Sequence, residues 1–378
     1  MSVVVKRVDE NDKKTKKAFV KFPIKLYKDC PYYVPSLILD ELRTLDTKTN
    51  PAFAMCEMQM FLAYKNDKIV GRICAIINNK ANEVWNSKDG RFGFFDFIDD
   101  VEVVDALFSE AESWLKSKGM TSIIGPIGFS GLDHEGLLVH GYDRVTTMAT
   151  TYSYPYYKEH IERIGFEKEV DANEYYITIP SAAPERHQRI ADIVEKRNGF
   201  KVLKFKGLKH VKPYVSKLFN LLNDAYKPLY GFAPLSQEQI DYYVKMYVPI
   251  LRWDLVTIIV EEKTDNVVGF GIGMPNLSRG LIKSRGKLFP FGWYYLLKDL
   301  KFKNPVADLL LIGISPEYQG KGVNAMIFAD FIPSAYKEGF KYAESNPELE
   351  VNEKVNTLWD GFDAVLHKKR RFYRKKIS

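Results

Sequence analysis

Leu309-Leu310-Leu311-Ile312-Gly313-Ile314-Ser315-Pro316-Glu317-Tyr318-Gln319-Gly320-Lys321-Gly322-Val323-Asn324 is the stretch from which the rest of the chain is read. The apolar run Leu309 to Ile314 is too short for a buried helix and reads as a strand, stopped by Pro316. A tight glycine turn follows, and helix-compatible residues begin near Asn324. Strand, glycine turn and helix in that order make an anion site. The first N–H groups of a helix lack intrahelical partners, and the helix dipole adds partial positive charge there. Gly320 and Gly322 carry no side chain, so successive amides can curl around a phosphate group.

Gln319-Gly320-Lys321-Gly322-Val323-Asn324 resembles the pyrophosphate loop of the GCN5-related N-acetyltransferases, the GNAT superfamily. That loop runs Gln or Arg, two residues, Gly, one residue, then Gly or Ala. Gln319 and Gly322 match, and Asn324 stands where the small residue is usual. The resemblance implies a mixed α/β, α+β-like fold of tandem GNAT-like domains. Each would be a mostly antiparallel twisted sheet flanked by helices, with a splayed strand pair in the second. It also implies that the amides of Gln319, Gly320, Lys321, Gly322, Val323 and Asn324 hold the diphosphate of acetyl-CoA or another acyl-CoA. Phe340 to Ser345 would be the next strand. Where it diverges from Leu309 to Ile314, open backbone groups of Ile312, Gly313 and Ile314 would pair with the pantetheine arm.

The same resemblance places Asn352, in Asn352-Glu353-Lys354-Val355-Asn356-Thr357-Leu358-Trp359, at the family asparagine that precedes the last helix and contacts the cofactor arm. Acyl transfer needs a neutral amine, so a base must take its proton directly or through water. Glu344 is the candidate and Glu350 the alternative. Trp359 stands near the place where many members carry a tyrosine that protonates the leaving thiolate. That acid is left open between Tyr373 and Tyr226.

At 378 residues the chain is long for one core and comfortable for two. No run of about 18 apolar residues suggests a membrane span. The opening Met1-Ser2-Val3-Val4-Val5-Lys6-Arg7 lacks the pattern of a signal peptide. Cys30, Cys56 and Cys74 lack paired metal spacing and fit reduced thiols, so a cytoplasmic protein is expected. Net charge is +7 with a pI of 8.9. Its one dense basic run, Lys368 to Lys376, reads as a polar-faced terminal strand in preference to a nucleic-acid patch. His134, Glu135 and His140 miss the H-E-x-x-H spacing, and no metal site is expected.

The order of elements repeats. Phe61 to Ile77 reads as a hairpin, Asp105 to Lys118 as an amphipathic helix, and Tyr156 to Ile164 as a short helix before Gly165-Phe166. Thr257 to Gly273 restates the hairpin, with Gly269 answering Gly71 at an offset of 269 − 71 = 198. Gly361 answers Gly165 at 361 − 165 = 196. Nearly equal offsets argue for duplicated modules, at residues 1–183 and 184–378, with an insertion near Asn276 to Pro305 in the second. Where the first copy should carry a phosphate loop it has Asp99-Asp100-Val101-Glu102-Val103-Val104-Asp105, whose carboxylates repel a diphosphate.

The expected activity is acyl-CoA-dependent N-acylation of a small-molecule or peptide amine, by direct transfer on the second copy. The first copy is expected to be degenerate, with a structural or substrate-facing role. The alternatives are a catalytically silent CoA-binding or sensing protein and an RNA-linked factor.

Overall fold

The computed structural model describes residues 2–205, 207–301 and 304–377. The first half runs β1 (Val4–Arg7), α1 (Lys13–Leu26), α2 (Ile38–Thr44), β2 (Cys56–Lys65), β3 (Lys68–Asn78), α3 (Asn79–Trp85), β4 (Asp89–Phe97), α4 (Val101–Ser117), β5 (Ser122–Gly125), β6 (Leu137–His140), α5 (Tyr156–Arg163) and β7 (Glu167–Thr178). The second half runs α6 (Glu185–Asn198), β8 (Phe200–Leu203), α7 (Leu208–Tyr226), α8 (Gln237–Tyr247), β9 (Val256–Glu261), β10 (Val267–Pro275), α9 (Ser278–Ser284) and α10 (Gly292–Lys301). It continues with β11 (Val306–Ile314), α11 (Val323–Lys337), β12 (Tyr342–Ser345), β13 (Glu348–Leu349), α12 (Glu353–Asn356) and β14 (Ala364–Lys376).

Compactness groups these elements into discontinuous units. Unit 1 is Met1–Ala172 with Ser278–Tyr295 and Lys368–Ser378; unit 2 is Asn173–Leu277 with Leu296–His367. The boundary expected at 183/184 therefore falls inside unit 2. Unit 1 instead gains most of the insertion and the basic C-terminal strand, neither of which a linear cut would assign to it.

In unit 1 the strands lie in the order β1-β2-β3-β4-β5, with the end of β14 against β5. Only the β4–β5 pairing in that series is parallel. The β2–β3 turn puts Asn66 and Asp67 at φ 53° and 58°, the left-handed pair that the twist of a two-residue hairpin demands. Helix α4 buries Val103, Val104, Leu107, Phe108, Ala111 and Leu115, a helical stripe, against the sheet. The close approach is allowed by Gly71, where a Cβ would sit 2.8 Å from Leu107 and 2.9 Å from Val103.

The basic run is not the solvent-facing strand that charge counting suggests. Lys368 and Arg370 are fully buried, and three of the other five cations meet carboxylates: Arg371 with Asp171 at 2.7 Å, Arg374 with Asp89 at 2.7 Å and Lys375 with Glu112 at 2.7 Å. Burial alone would raise the Asp171 and Asp89 carboxyls, but hydrogen bonds from Arg371 and Arg374 outweigh it and hold both below the usual range. These three pairs hold the end of β14 within unit 1.

Unit 2 orders its strands as the end of β7, then β12-β11-β10-β9-β8, with β11–β12 parallel and the other neighbours in that order antiparallel. One face of β10 is bare. A Cβ on Gly269 would meet Val323 at 2.8 Å, on Gly271 Ile327 at 2.6 Å, and on Gly273 Phe331 at 2.9 Å. Alternate strand residues advance about 6.6 Å, and every fourth helix residue about 6 Å, so three glycines match three side chains of α11. The helix lies in the trough that results. Gly361 stands at φ 88° and Gly165 at 89°, and Gly269 plays under α11 the part that Gly71 plays under α4. Both landmarks of the sequence repeat thus have the same structural role in each copy.

Gly271→Val should lower stability by about 1–3 kcal/mol, as overpacking of a filled core does, read from the urea midpoint. A variant as stable as the parent would mean that α11 does not depend on this trough.

Candidate active site

β11 and β12 are paired only from Val306↔Tyr342 to Leu309↔Ser345. Beyond that point they part. The Ser345 hydroxyl accepts the Tyr175 N–H at 2.9 Å, Pro347 has no N–H to offer a ladder, and β13 pairs with β7 instead. The uncovered edge of β11 is met by side chains: the Asn346 amide donates to the Leu310 carbonyl at 2.7 Å and the Tyr226 hydroxyl to the Ile312 carbonyl at 3.1 Å.

Alternation decides which backbone groups face that edge. The Ser315 N–H donates to the Val268 carbonyl at 2.9 Å, so Gly313, two residues earlier and opposite Phe270, also points towards β10. Ile312 and Ile314 point the other way, along the open edge. Gly313 is therefore corrected from arm-binding residue to packing residue: a Cβ there would sit 2.5 Å from the Phe270 ring.

The turn after β11 begins with one tight helical turn, Pro316–Tyr318. Gly320 and Gly322 then take φ of 74° and 89°. Tyr318 and Gln319 donate their N–H groups back to the Ser315 carbonyl, and Lys321 donates to Tyr318. Gly322 caps α11 without any side-chain cap, and the first helical bond runs from the Ala325 N–H to the Gly322 carbonyl. Among the described residues the N–H groups of Gly320, Gly322, Val323 and Asn324 meet no protein acceptor. The two glycines differ in purpose. Around Gly320 a Cβ would find nothing within 4 Å, whereas at Gly322 it would strike Ile190 of α6 at 2.6 Å. The Gln319 side chain braces the turn by donating to the Ile314 carbonyl at 3.3 Å, and the Lys321 ammonium lies 5.8 Å over the Tyr318 ring. This arrangement fits a diphosphate.

The corresponding helix start in unit 1 is filled from within. The Asp100 carboxylate caps α4 by accepting the Glu102 N–H at 3.0 Å and pairs with Lys65 at 2.7 Å. Asp100 thus places a negative charge of the chain's own at that helix start.

Glu344, the expected base, is buried in unit 2. Its carboxylate lies 3.4 Å from His367 Nε2, and candidate ligand atoms of Glu174, Glu344 and His367 all lie within 4.8 Å of one another. Residues so far apart in sequence give no spacing signal. By contrast, His134 of the glycine-rich loop has its Nε2 2.9 Å from the Met148 carbonyl. Asn352 sits just before α12, where its backbone carbonyl accepts the Asn356 side-chain amide at 3.0 Å.

A residue that sequence reasoning missed lies closer to the open edge. Glu348 follows the point where β12 turns away. Burial pushes its carboxyl up to about 8, against the opposing pull of hydrogen bonds from Trp359 and Ser345. The Trp359 indole N–H donates to both its oxygens at 3.0 Å. Tyr226, whose hydroxyl burial pushes up to about 12, feels the Glu348 charge. Trp359 is thus the orienting partner of an acid. Tyr373, the other tyrosine considered, is in unit 1 and bonded to Glu162 at 3.1 Å.

No family model matches the chain. It is 30% identical over 369 residues to protein YghO of Escherichia coli, covering 96% of this chain and 93% of that protein. The chain belongs to the YghO family. It is also 28% identical over 370 residues to a bacterial ceramide synthase of Caulobacter vibrioides, covering 96% and 94%. Among solved structures, a tandem GNAT protein from the clavulanic acid biosynthesis pathway superposes with a TM-score of 0.56 at 11% identity, covering 100% and 99%. A GCN5-related N-acetyltransferase from Sphaerobacter thermophilus superposes at 0.52 and 12% identity, covering 99% and 96%. The fold of this YghO relative is the tandem GNAT fold.

Titration of Glu348 should be visible through its indole partner. Tryptophan emission is expected to change with a midpoint near 8 in the parent. In Glu348→Gln that step should vanish while the protein stays folded; an unchanged step would place the titrating group elsewhere.

Proposed function

We propose that unit 2 binds an acyl-CoA and transfers its acyl group to an amine. The observation that carries this reading is the junction of an uncovered β11 edge with a glycine turn whose amides have no protein acceptor. Gly320, Gly322, Val323 and Asn324 would hold the diphosphate through N–H groups, with Gln319 and Lys321 completing the turn. Ile312 and Ile314 would pair with the pantetheine amides, Tyr226 yielding the Ile312 carbonyl as they do. Asn352 lies on the chain that leaves the splay and is proposed to contact the same arm.

When bound, an acyl-CoA supplies the thioester carbon that the amine attacks. Glu348 takes the proton from the attacking nitrogen; its raised carboxyl is a weak base below about 8 and a competent one above it. The new C–N bond forms as the C–S bond breaks, and the Tyr226 hydroxyl returns a proton to the departing sulfur. Glu344 is the competing base, reached through His367. The acceptor class we take from the ceramide-synthase relative: forming a ceramide acylates the amine of a long-chain amino alcohol. An acceptor with a bare amine and a long alkyl chain also suits a chain in whose basic strand Lys368 and Arg370 are buried and Arg371, Arg374 and Lys375 are held in internal ion pairs, which speaks against that strand as an RNA site.

Binding is tested first. At 100 times its dissociation constant, CoA should stabilise the fold by about 2.7 kcal/mol. Gly320→Asp should abolish that shift, because its carboxylate enters open space in front of the amides without touching the core. Gly322→Asp would be ambiguous, since it also strikes Ile190. A melting shift that survives Gly320→Asp would remove the diphosphate from this turn.

Turnover comes next, read as free thiol released with long-chain amino alcohols. The rate should rise with pH through about 8, and Glu348→Gln should remove that limb. If Glu344→Gln removes it instead, Glu344 is the base. Tyr226→Phe should cost about 10²-fold in kcat. CoA binding without thiol release from any amine would leave a silent sensor.

A further inference from the structure

The insertion in the second half builds a surface that acyl transfer to a soluble amine does not need. Gly286 anchors it on unit 1: its carbonyl accepts the Ile38 N–H at 2.9 Å, and a Cβ there would lie 2.4 Å from the Ser36 carbonyl. The Ser278 hydroxyl adds a bond to the Thr146 carbonyl at 2.9 Å. Gly292 closes the loop so tightly that any Cβ would overlap the Lys287 carbonyl. On this fixed base Phe289 and Phe291 stand 68% and 70% exposed. The start of helix α10 continues the pattern with exposed Trp293 and Tyr294. The Trp293 indole N–H is satisfied by the Pro290 carbonyl at 2.9 Å, leaving the ring to present carbon.

Large exposed apolar side chains are scattered over most of the chain, and singly they need no explanation. Four within six residues, on one loop and the helix start that follows it, form a patch that does. Its rim is cationic. Arg279, Lys283, Arg285 and Lys287 are all exposed, with no acid between residues 279 and 294. A second copy docking here would bring four cations against four. Aromatic rings beside lysines and arginines are instead the composition that seats in the headgroup layer of an anionic bilayer. Among the described residues no helix is long and apolar enough to cross a membrane, so contact at the surface is what this patch allows.

We propose that the segment from Arg279 to Tyr294 docks the protein on anionic membrane surfaces, with Phe289 and Phe291 entering the headgroup layer. This deepens the reading of unit 2 and rests on it for its purpose: the long-chain amine would be drawn from the bilayer. The docking chemistry itself does not depend on that reading.

The full chain would be sedimented with vesicles of equal parts phosphatidylglycerol and phosphatidylcholine, and with phosphatidylcholine alone, at low and high salt. It should bind the mixed vesicles, weaken with salt, and bind phosphatidylcholine poorly. Phe289→Ser with Phe291→Ser should lower partitioning by about tenfold or more without shifting the melting temperature. Lys283→Glu with Lys287→Glu should do the same and flatten the salt dependence. Absence of binding by the parent, or parent-like binding by both variants, would overturn the proposal. So would a parent dimer dispersed by the phenylalanine substitutions without any vesicle binding. Neither variant touches the glycine turn, so the CoA melting shift should persist in both; its loss from the parent would count against acyl-CoA binding and not against docking.

Discussion

The contact between α11 and the bare face of β10 sets the geometry on which the rest of unit 2 depends. Three alternate glycines let Val323, Ile327 and Phe331 reach the strand backbone, which fixes both the height and the phase of the helix. With the helix seated there, its first turn follows the end of β11 through only a short connection. Gly320 and Gly322 make that connection possible by taking left-handed backbone conformations, and Gly322 also admits α6 against the turn. The unsatisfied amides follow from this packing: a helix start held so close to the sheet, with no capping side chain, has nothing of its own to bond to.

The two copies differ in what stands at the start of the corresponding helix. Both units lay a helix over a glycine in the second strand of a hairpin. In unit 1 the helix start is occupied by Asp100, which satisfies an amide and carries a negative charge; in unit 2 the equivalent place is Gly322. A carboxylate supplied by the chain and a phosphate supplied from outside are alternatives for the same amides. The splay adds the second requirement. It is produced by Ser345 bonding to Tyr175 and by Pro347, and it exposes Ile312 and Ile314 while leaving Gly313 in the sheet.

Local features were legible in the sequence. The glycine turn, the strand before it, the hairpins and the amphipathic α4 are written in residues close together, and all appear where periodicity places them. The repeat was readable too, because its marker glycines are needed for packing or for positive φ. What stayed hidden depends on distant residues. Nothing near Lys368 to Lys376 says that Asp171, Asp89 and Glu112 are waiting for it, so Arg371, Arg374 and Lys375 read as free when they are paired. Glu348 carries no mark in the sequence because its environment is made by Trp359 and by the departing strand, not by its neighbours in sequence. The boundary at 183/184 missed the return of Ser278–Tyr295 to unit 1 for the same reason.

The central claim is that amides at the start of α11 and along the open edge of β11 receive an acyl-CoA. Amide hydrogen exchange of the full chain, with and without CoA, tests it most directly. Exchange should slow at Gly320 to Asn324 and at Ile312 and Ile314, with no change at Asp100 to Val104 in unit 1. Protection confined to unit 1, or no protection at the glycine turn under saturating CoA, would contradict the account.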